Sequence, residues 1–182
     1  MLKQLVKIFT LICVSSTGSL VAKGDESSNN RKIETLTVEI GGNIYLIWND
    51  EKLSWWAARD FCTERQMKLV SLQTEEKSKQ LNDFLQAHNL VDSPELGNDF
   101  IYWTSGTDQK HDGKFVWNGA ENEEFTFTNW LPGMPDNWRG DEHCVEIGFK
   151  ELGKWNDNRC RYHRHFICEV SHLVNAGIVK NN

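Results

Sequence analysis

The stretch LPGMPDNWRGDEHCVEI, residues 131–147, joins the composition of a tight loop to that of a cation site. It contains two prolines, two glycines and four acidic side chains, and it ends in a strand-like segment around Cys144. Proline and glycine favour turns, and carboxylates are hard oxygen ligands of the kind that calcium takes. Met134, however, stands just before Pro135 and Asp136, where an oxygen would be expected. The stretch therefore predicts either a cation and ligand site that lacks one ligand or only a well-ordered turn.

Residues 1–18 have the pattern of a secretory signal peptide. Lys3 and Lys7 supply the positive charge, the apolar run IFTLICV occupies residues 8–14, and small residues follow up to Gly18. This run is short for a membrane span, and an uncleaved anchor is the alternative. We therefore expect a secreted, extracellular protein with no membrane span after cleavage.

Cleavage near Gly18 also removes Cys13 and leaves four cysteines. An even number of cysteines after a signal peptide predicts disulfides in an oxidising compartment, and three pairings are possible from the sequence alone. A cytosolic zinc site is disfavoured because no two of these cysteines have the close C-x2-C spacing. The four are Cys62, Cys144, Cys160 and Cys168.

Length and charge restrict the class of protein. The 182 residues suit one domain, and a hydrophobic content of 39% with eight tryptophans supports a core. The net charge of -6 argues against a nucleic-acid partner, because a protein that binds nucleic acid usually carries a basic patch. Loss of two lysines with the signal peptide makes the mature charge -8, which suits calcium binding or simple solvation.

Two helices are predicted in the first half of the chain. Ser54 suits the N-cap of the first, which places Trp55, Ala58 and Cys62 on one face. Thr74 begins the second, with two glutamates in the first turn where the helix dipole favours them. The expected buried face of this second helix consists of Leu81, Phe84, Leu85 and His88.

Short strands and loops make up the rest. Strands are expected within residues 43–48, 68–72, 99–106, 114–119, 143–148 and 164–170. Two helices, short antiparallel sheets and a long loop region predict an α+β fold. The expected organisation is a flexible segment at 19–37, a domain at 38–170 and a tail at 171–182.

Several motifs in this order resemble the C-type lectin-like domain, over about Val38 to Val170. They are W-x2-A-x3-C at 55–62, LVSLQTEE at 69–76, YWTSGTD at 102–108, NWLPGMPDN at 129–137, EHCVEI at 142–147, KWNDNRC at 154–160 and FICE at 166–169. With four mature cysteines the chain resembles the short form of the family. The resemblance implies the disulfides Cys62–Cys168 and Cys144–Cys160.

The resemblance also implies a calcium site. In the family, ligands come from the residues flanking a cis-proline, a glutamate eight positions beyond the first flank, and an Asn-Asp pair. At these positions the chain has Met134 and Asp136 around Pro135, then Glu142, then Asn156 and Asp157. Met134 departs from the pattern because a thioether is a soft group that does not coordinate calcium. We expect weaker calcium binding, with Asp136, Glu142, Asn156 and Asp157 as ligands.

The type of sugar follows from the same loop. In the family, calcium and its ligands bind two vicinal sugar hydroxyls; the order E-P-N is associated with mannose and Q-P-D with galactose. The M-P-D of this chain keeps the aspartate of the galactose order. Trp138 matches the tryptophan that stacks on galactose, although a core or loop-anchoring role is the alternative. The resemblance therefore implies a preference for galactose or N-acetylgalactosamine, with Asp136, Trp138, Glu142, Asn156 and Asp157 as the sugar-binding residues.

Some family members carry an auxiliary calcium site. The matching residues are Asp108, Asp112, Asn137 and Glu142, with His143 in place of an acidic ligand. This second site is a weaker expectation because a histidine and an amide replace carboxylates.

The expected function is secreted, calcium-dependent binding of galactose-type glycans on glycoproteins or microbial surfaces, in innate immunity. A calcium-independent, protein-binding domain is the alternative that Met134 favours. An enzyme is not expected: His163 and His165 alternate as on one face of a strand, but no H-E-x-x-H motif or third zinc ligand accompanies them. The sequence predicts no particular oligomeric state.

Overall fold

The computed structural model describes residues 35–91, 100–119 and 122–170. The expected signal peptide and the expected C-terminal tail lie outside the described residues. Within those residues the chain forms two helices and nine strands. The helices are α1 (Trp55–Glu64) and α2 (Glu75–Ala87); the strands are β1 (Leu36–Ile40), β2 (Asn43–Leu53), β3 (Met67–Leu69), β4 (Tyr102–Thr107), β5 (Val116–Trp117), β6 (Glu123–Glu124), β7 (Cys144–Ile147), β8 (Trp155–Asn158) and β9 (Arg164–Val170).

Side-chain caps begin both helices where the sequence predicts them. The Ser54 hydroxyl accepts a hydrogen bond from the Ala57 amide, and the Thr74 hydroxyl accepts one from Lys77. These bonds satisfy backbone donors that the first turn of a helix leaves without partners. The inward face of α1 buries Trp55, Ala58 and Cys62 as expected. In α2, Leu81 and Leu85 are buried, whereas Phe84 and His88 are half-buried and stack on each other.

The strands form one mixed sheet, which confirms the α+β class. The main order is β1-β2-β9-β4-β5-β6, with β3 on β9 and with β7 joining β4 to β8. Every pairing is antiparallel except β4 with β9, where Tyr102 lies opposite His165. The short antiparallel sheets that we expect are present, and this one parallel pair adds to them. A parallel pair needs a long crossover connection, and the loops and short strands between β4 and β9 supply it.

Three strands were not predicted. β1 begins at Leu36, so its first two residues fall in the segment expected to be flexible. It forms because it pairs with β2, with Leu36 opposite Ile47 at one end and Ile40 opposite Asn43 at the other. The two-residue β6 pairs with β5. β8 consists largely of polar residues typical of turns, yet it pairs with β7 along its whole length. Pairing, not composition, makes these segments strands.

Two buried clusters hold the sheet and helices together. One contains aliphatic and aromatic side chains such as Leu81, Trp117 and Trp155. The other surrounds the disulfides, with Trp55 and Trp103 packed among the cysteines. Cys62 joins α1 to β9 through Cys168, and Cys144 joins β7 to Cys160 just after β8, with Cα–Cα separations of 5.6 and 5.2 Å. These are the pairs that the resemblance implies.

The helices of the described residues offer no candidate membrane span, since neither is both long and apolar enough.

Candidate functional site

The loop at residues 131–143 is attached to β8. At the start of the loop, the Leu131 amide donates a hydrogen bond to the carbonyl of Trp155 at 2.8 Å. The preceding residue, Trp130, forms an isolated parallel β-bridge with Trp155. The Met134–Pro135 peptide is cis, as expected. The other end enters β7, which pairs with β8. The loop therefore starts and ends beside the strand that carries Asn156 and Asp157.

Three carboxylates meet at this junction. Asp136 and Glu142 come from the loop and Asp157 comes from β8, and one oxygen of each lies within 4.8 Å of the others. Asp136 is exposed, Glu142 is half-buried, and Asp157 is fully buried. Three acidic groups from two separated segments thus face a volume of the size that one metal ion occupies.

The buried Asp157 carboxylate organises the loop backbone. Its two oxygens accept hydrogen bonds from the amides of Asp136 and Asn137 at 3.2 and 2.7 Å. Burial raises the pKa of Asp157, and these amide bonds oppose that rise because they favour the charged form. The Asp157 side chain therefore positions the backbone of Asp136 and Asn137, the two residues after the cis-proline.

Glu142 carries an electrostatic cost at the site. Burial, and then the neighbouring charge of Asp157, raises the pKa of Glu142 to about 7, while the hydrogen bond from the Trp138 amide opposes the rise. Like charges this close disfavour simultaneous ionisation. A divalent cation among the three carboxylates would reverse that repulsion.

Asn156 lies in a buried polar network that the sequence did not predict. Its side-chain nitrogen donates to the Glu146 carboxylate at 3.0 Å, as does that of Asn158. The guanidinium of Arg164 reaches the other Glu146 oxygen at 2.8 Å. Since the nitrogen of the Asn156 amide is bound to Glu146, its oxygen is the atom left to act as an acceptor or ligand. The signal available in the sequence was a glutamate inside the strand pattern CVEI.

Trp138 is one of the exposed large aromatic residues, with 50% of its surface accessible. Its backbone amide donates to both Asp136 and Glu142, at 3.2 and 3.3 Å. Its neighbours Asn137 and Arg139 adopt left-handed backbone angles, so the loop turns sharply on both sides. The accessible ring therefore stands next to the carboxylates, and a core role for this tryptophan is excluded.

Arginine side chains approach the Trp138 ring. The guanidinium of Arg139 lies 4.2 Å from the ring centroid and that of Arg159 lies 5.1 Å away. Such contacts are attractive because the face of an indole is electron-rich. The proximity of Arg159 to this ring was not predicted from the sequence, because the two residues are 21 positions apart.

The residues of the expected auxiliary site separate into two groups. Asp108 and Asp112 come together with His143, and the His143 ring lies 2.9 Å from Asp108. Glu142 belongs instead to the group with Asp136 and Asp157. Asn137 connects the groups, since its side-chain nitrogen donates to Asp112 and its oxygen accepts from the Glu142 amide.

The donor set fits calcium. Oxygen atoms of Asp136, Glu142 and Asp157 converge, and hard carboxylate oxygens are the ligands that calcium prefers. Met134 is half-buried in the loop, and its sulfur contributes no hard ligand. Calcium takes six to eight oxygens, so this set leaves room for backbone, water or ligand oxygens.

The two histidines considered for zinc lie apart from these groups. His163 is exposed just before β9, whereas the ring of His165 is 5.5 Å from Phe100 and 6.0 Å from Tyr102. Among the described residues, neither histidine belongs to a cluster of three metal-ligating side chains.

Comparison with known proteins gives consistent matches. Residues 51–170 match the family model described as "Lectin C-type domain". A salivary C-type lectin 2 of Aedes albopictus is 35% identical over 125 residues, which cover 66% of this chain and 79% of that protein. C-type lectin 37Da of Drosophila melanogaster is 28% identical, with 98% of each chain covered. The carbohydrate-recognition domain of the mouse scavenger receptor C-type lectin has 26% identity and a TM-score of 0.60, covering 73% of this chain and 91% of that one.

Proposed function

The chain belongs to the C-type lectin domain family, and from this premise we propose that it binds galactose-type sugars in a calcium-dependent manner. The observation that carries the proposal is the convergence of Asp136, Glu142 and Asp157 within 4.8 Å beside the exposed ring of Trp138. Carboxylates and an accessible aromatic ring supply the two contacts that a sugar needs, one polar and one apolar.

The calcium ligands in this proposal are Asp136, Glu142, Asn156 and Asp157. Bound calcium would supply a Lewis-acidic centre that takes two neighbouring sugar hydroxyls as ligands. The chain supplies the rest: Asp157 orients the backbone after Pro135, and Glu146 holds the Asn156 amide nitrogen. Carboxylate oxygens that remain available accept hydrogen bonds from the same hydroxyls. The group of Asp108, Asp112 and His143 is a second, weaker cation site in the same proposal.

The preference for galactose or N-acetylgalactosamine rests on two residues. Asp136 provides an acceptor directly after the cis-proline, and Trp138 provides an exposed apolar platform two residues later. The exposed Arg139 side chain contacts this ring and has no carboxylate partner within the described residues. A sugar that stacks on the same face therefore displaces Arg139 without breaking an ion pair.

The setting we propose is outside the cell. Two disulfides are suited to an oxidising compartment, and one relative is described as salivary. Glycans on glycoproteins or on microbial surfaces are the proposed partners, with a role in innate immune recognition.

A calcium-independent, protein-binding function is the second candidate. Met134 favours it because this residue removes one oxygen ligand from the loop. The arginines at Trp138 favour it too, because aromatic and arginine side chains are enriched in protein interfaces.

Retention on galactose-agarose distinguishes the two candidates. The protein with the signal peptide removed is applied in millimolar calcium and then washed with a chelator. Retention followed by elution with chelator supports calcium-dependent galactose binding. Passage through the column in calcium refutes it. A mannose column run in parallel tests the type of sugar.

A further inference from the structure

More than half of the arginines lie next to the candidate sugar site. Four of the seven arginines of the chain are Arg139, Arg159, Arg161 and Arg164. Each has its guanidinium within 6 Å of the ring centroid of Trp138 or Tyr162. We call these four arginines and two aromatic residues the arginine surface. It stands out because the whole chain has a net charge of -6.

Arg159 joins the two aromatic rings. Its guanidinium lies 5.1 Å from the Trp138 ring and 5.8 Å from the Tyr162 ring, and it donates to the Tyr162 hydroxyl at 3.2 Å. The side chain is 13% exposed, so these contacts hold it in place. The next residue, Cys160, is joined to Cys144, which fixes the segment beside the carboxylate loop. Arg159 is therefore positioned before any ligand arrives.

Two carboxylates neutralise only part of this charge. Asp141 accepts a hydrogen bond from Arg161 at 2.6 Å and lies 3.3 Å from Arg159, within ion-pair distance but out of line for a hydrogen bond. Buried Glu146 pairs with Arg164. Four positive and two negative charges leave the surface with a local charge of +2. Arg139 is exposed and has no carboxylate partner among the described residues.

We propose that the arginine surface binds an anionic substituent, sulfate or carboxylate, on the sugar that the adjacent site holds. This inference rests on the proposed function. Trp138 belongs to both sites, so a sugar stacked on its ring carries its substituents to Arg139 and Arg159. Guanidinium groups are well matched to sulfate and carboxylate, which they contact through paired N–H donors. The preferred ligand is an acidic galactose-type glycan.

The carboxylate site couples this preference to calcium. Without a cation, Asp136, Glu142 and Asp157 lie close to the same tryptophan and repel an anion. Calcium offsets two of their three charges, so the positive charge of the arginine surface then dominates the local field. An acidic sugar should therefore need calcium at least as strictly as a neutral one.

Isothermal titration in calcium with three sugars tests the inference: galactose, galactose 6-sulfate and galacturonic acid. The two acidic sugars distinguish sulfate from carboxylate as the source of the charge. An exposed ion pair corresponds to a gain of up to about fivefold in affinity, which should decrease at 0.5 M salt. Arg139→Gln should abolish the gain of the acidic sugars over galactose. It should not weaken the binding of neutral galactose, which displaces Arg139 from the Trp138 ring when it stacks there. The matched control is Arg65→Gln, which removes an arginine that lies over Phe61 at the end of α1.

Each outcome has a separate meaning. Tighter binding of either acidic sugar, lost in the Arg139 variant and kept in the Arg65 variant, supports the inference. Equal affinities for galactose and both acidic sugars overturn it and leave the proposed function intact. A gain that survives Arg139→Gln overturns the assignment to the arginine surface. Failure of all three sugars to bind in calcium overturns the proposed function itself. Unchanged melting temperatures show that the variants are folded.

Discussion

Replacing Glu142 with glutamine should stabilise the protein when calcium is removed and destabilise it, relative to the unmodified chain, when calcium is present. Glu142 is half-buried near Asp157 and Asp136, which raises its pKa to about 7. Glutamine has the same shape and keeps an oxygen for the Trp138 amide, but it carries no charge to repel the two aspartates. The substitution therefore isolates the charge.

The raised pKa of Glu142 determines the sign and the size of the change in stability in the absence of calcium. A carboxyl whose pKa is higher in the folded than in the unfolded state favours folding less as pH rises from about 4.5 to about 7. The full difference corresponds to about 3 kcal/mol. Because Glu142 is partly exposed and screened by solvent, we expect about 1 to 2 kcal/mol at pH 8. For a domain of this size that raises the melting temperature by about 2 to 8 °C.

Urea or thermal unfolding at pH 8, with chelator and with millimolar calcium, measures both effects. In chelator the Glu142→Gln variant should be more stable than the unmodified protein. In calcium the order should reverse, because the ligand-bound form gains stability in proportion to occupancy and the variant binds less. Glu151→Gln is a suitable control, since Glu151 is exposed in the turn between β7 and β8. If Glu142→Gln is less stable in chelator, the carboxylate is not electrostatically strained and the reasoning fails.

Three further substitutions or conditions test the rest of the site. Met134→Gln should tighten calcium binding by about fivefold, since it adds a hard oxygen; no gain in a calcium titration contradicts the idea of a missing ligand. Trp138→Ala should weaken galactose binding by about fivefold to tenfold and leave calcium affinity nearly unchanged. The ring is the part that stacks on the sugar, whereas the backbone amide of residue 138, which the substitution keeps, is the part that donates to the carboxylates. Equal losses of both affinities would indicate a structural role for the ring. As the pH is lowered from 7, apparent calcium affinity should decrease by up to about tenfold per pH unit, because Glu142 must lose its proton to bind calcium. A calcium affinity that stays constant from pH 5.5 to 8 would show that this proton is not coupled to binding.

The helices were predictable because their signals are local. Ser54 and Thr74 act as N-caps in the structure, and the apolar spacing of α1 selects its buried face. β9 also coincides with its predicted range, since a run of alternating and β-branched residues favours a strand by itself. In contrast, no strand was predicted at residues 155–158, where the resemblance implies the metal ligands Asn156 and Asp157. Their strand conformation depends on hydrogen bonds to β7, which no property of the four residues alone indicates.

For the candidate site, the family resemblance pointed to the acidic residues. Asp136, Glu142 and Asp157 do meet within 4.8 Å. The resemblance assigns Glu142 to both cation groups, whereas the structure places it in the group with Asp136 and Asp157. Only the fold shows that the His143 ring, and not the Glu142 carboxylate, lies with Asp108 and Asp112.

The sequence by itself determined which atoms are available: hard oxygens in one loop and one strand, a soft sulfur at Met134, and an aromatic ring at Trp138. The tertiary structure decided which of them meet. Pairing of β7 with β8 puts Glu146 beside Asn156, and the disulfide at Cys160 holds Arg159 near Trp138. Burial and distance set the charge of a carboxylate and the partner of a guanidinium, and both depend on contacts between residues far apart in the chain.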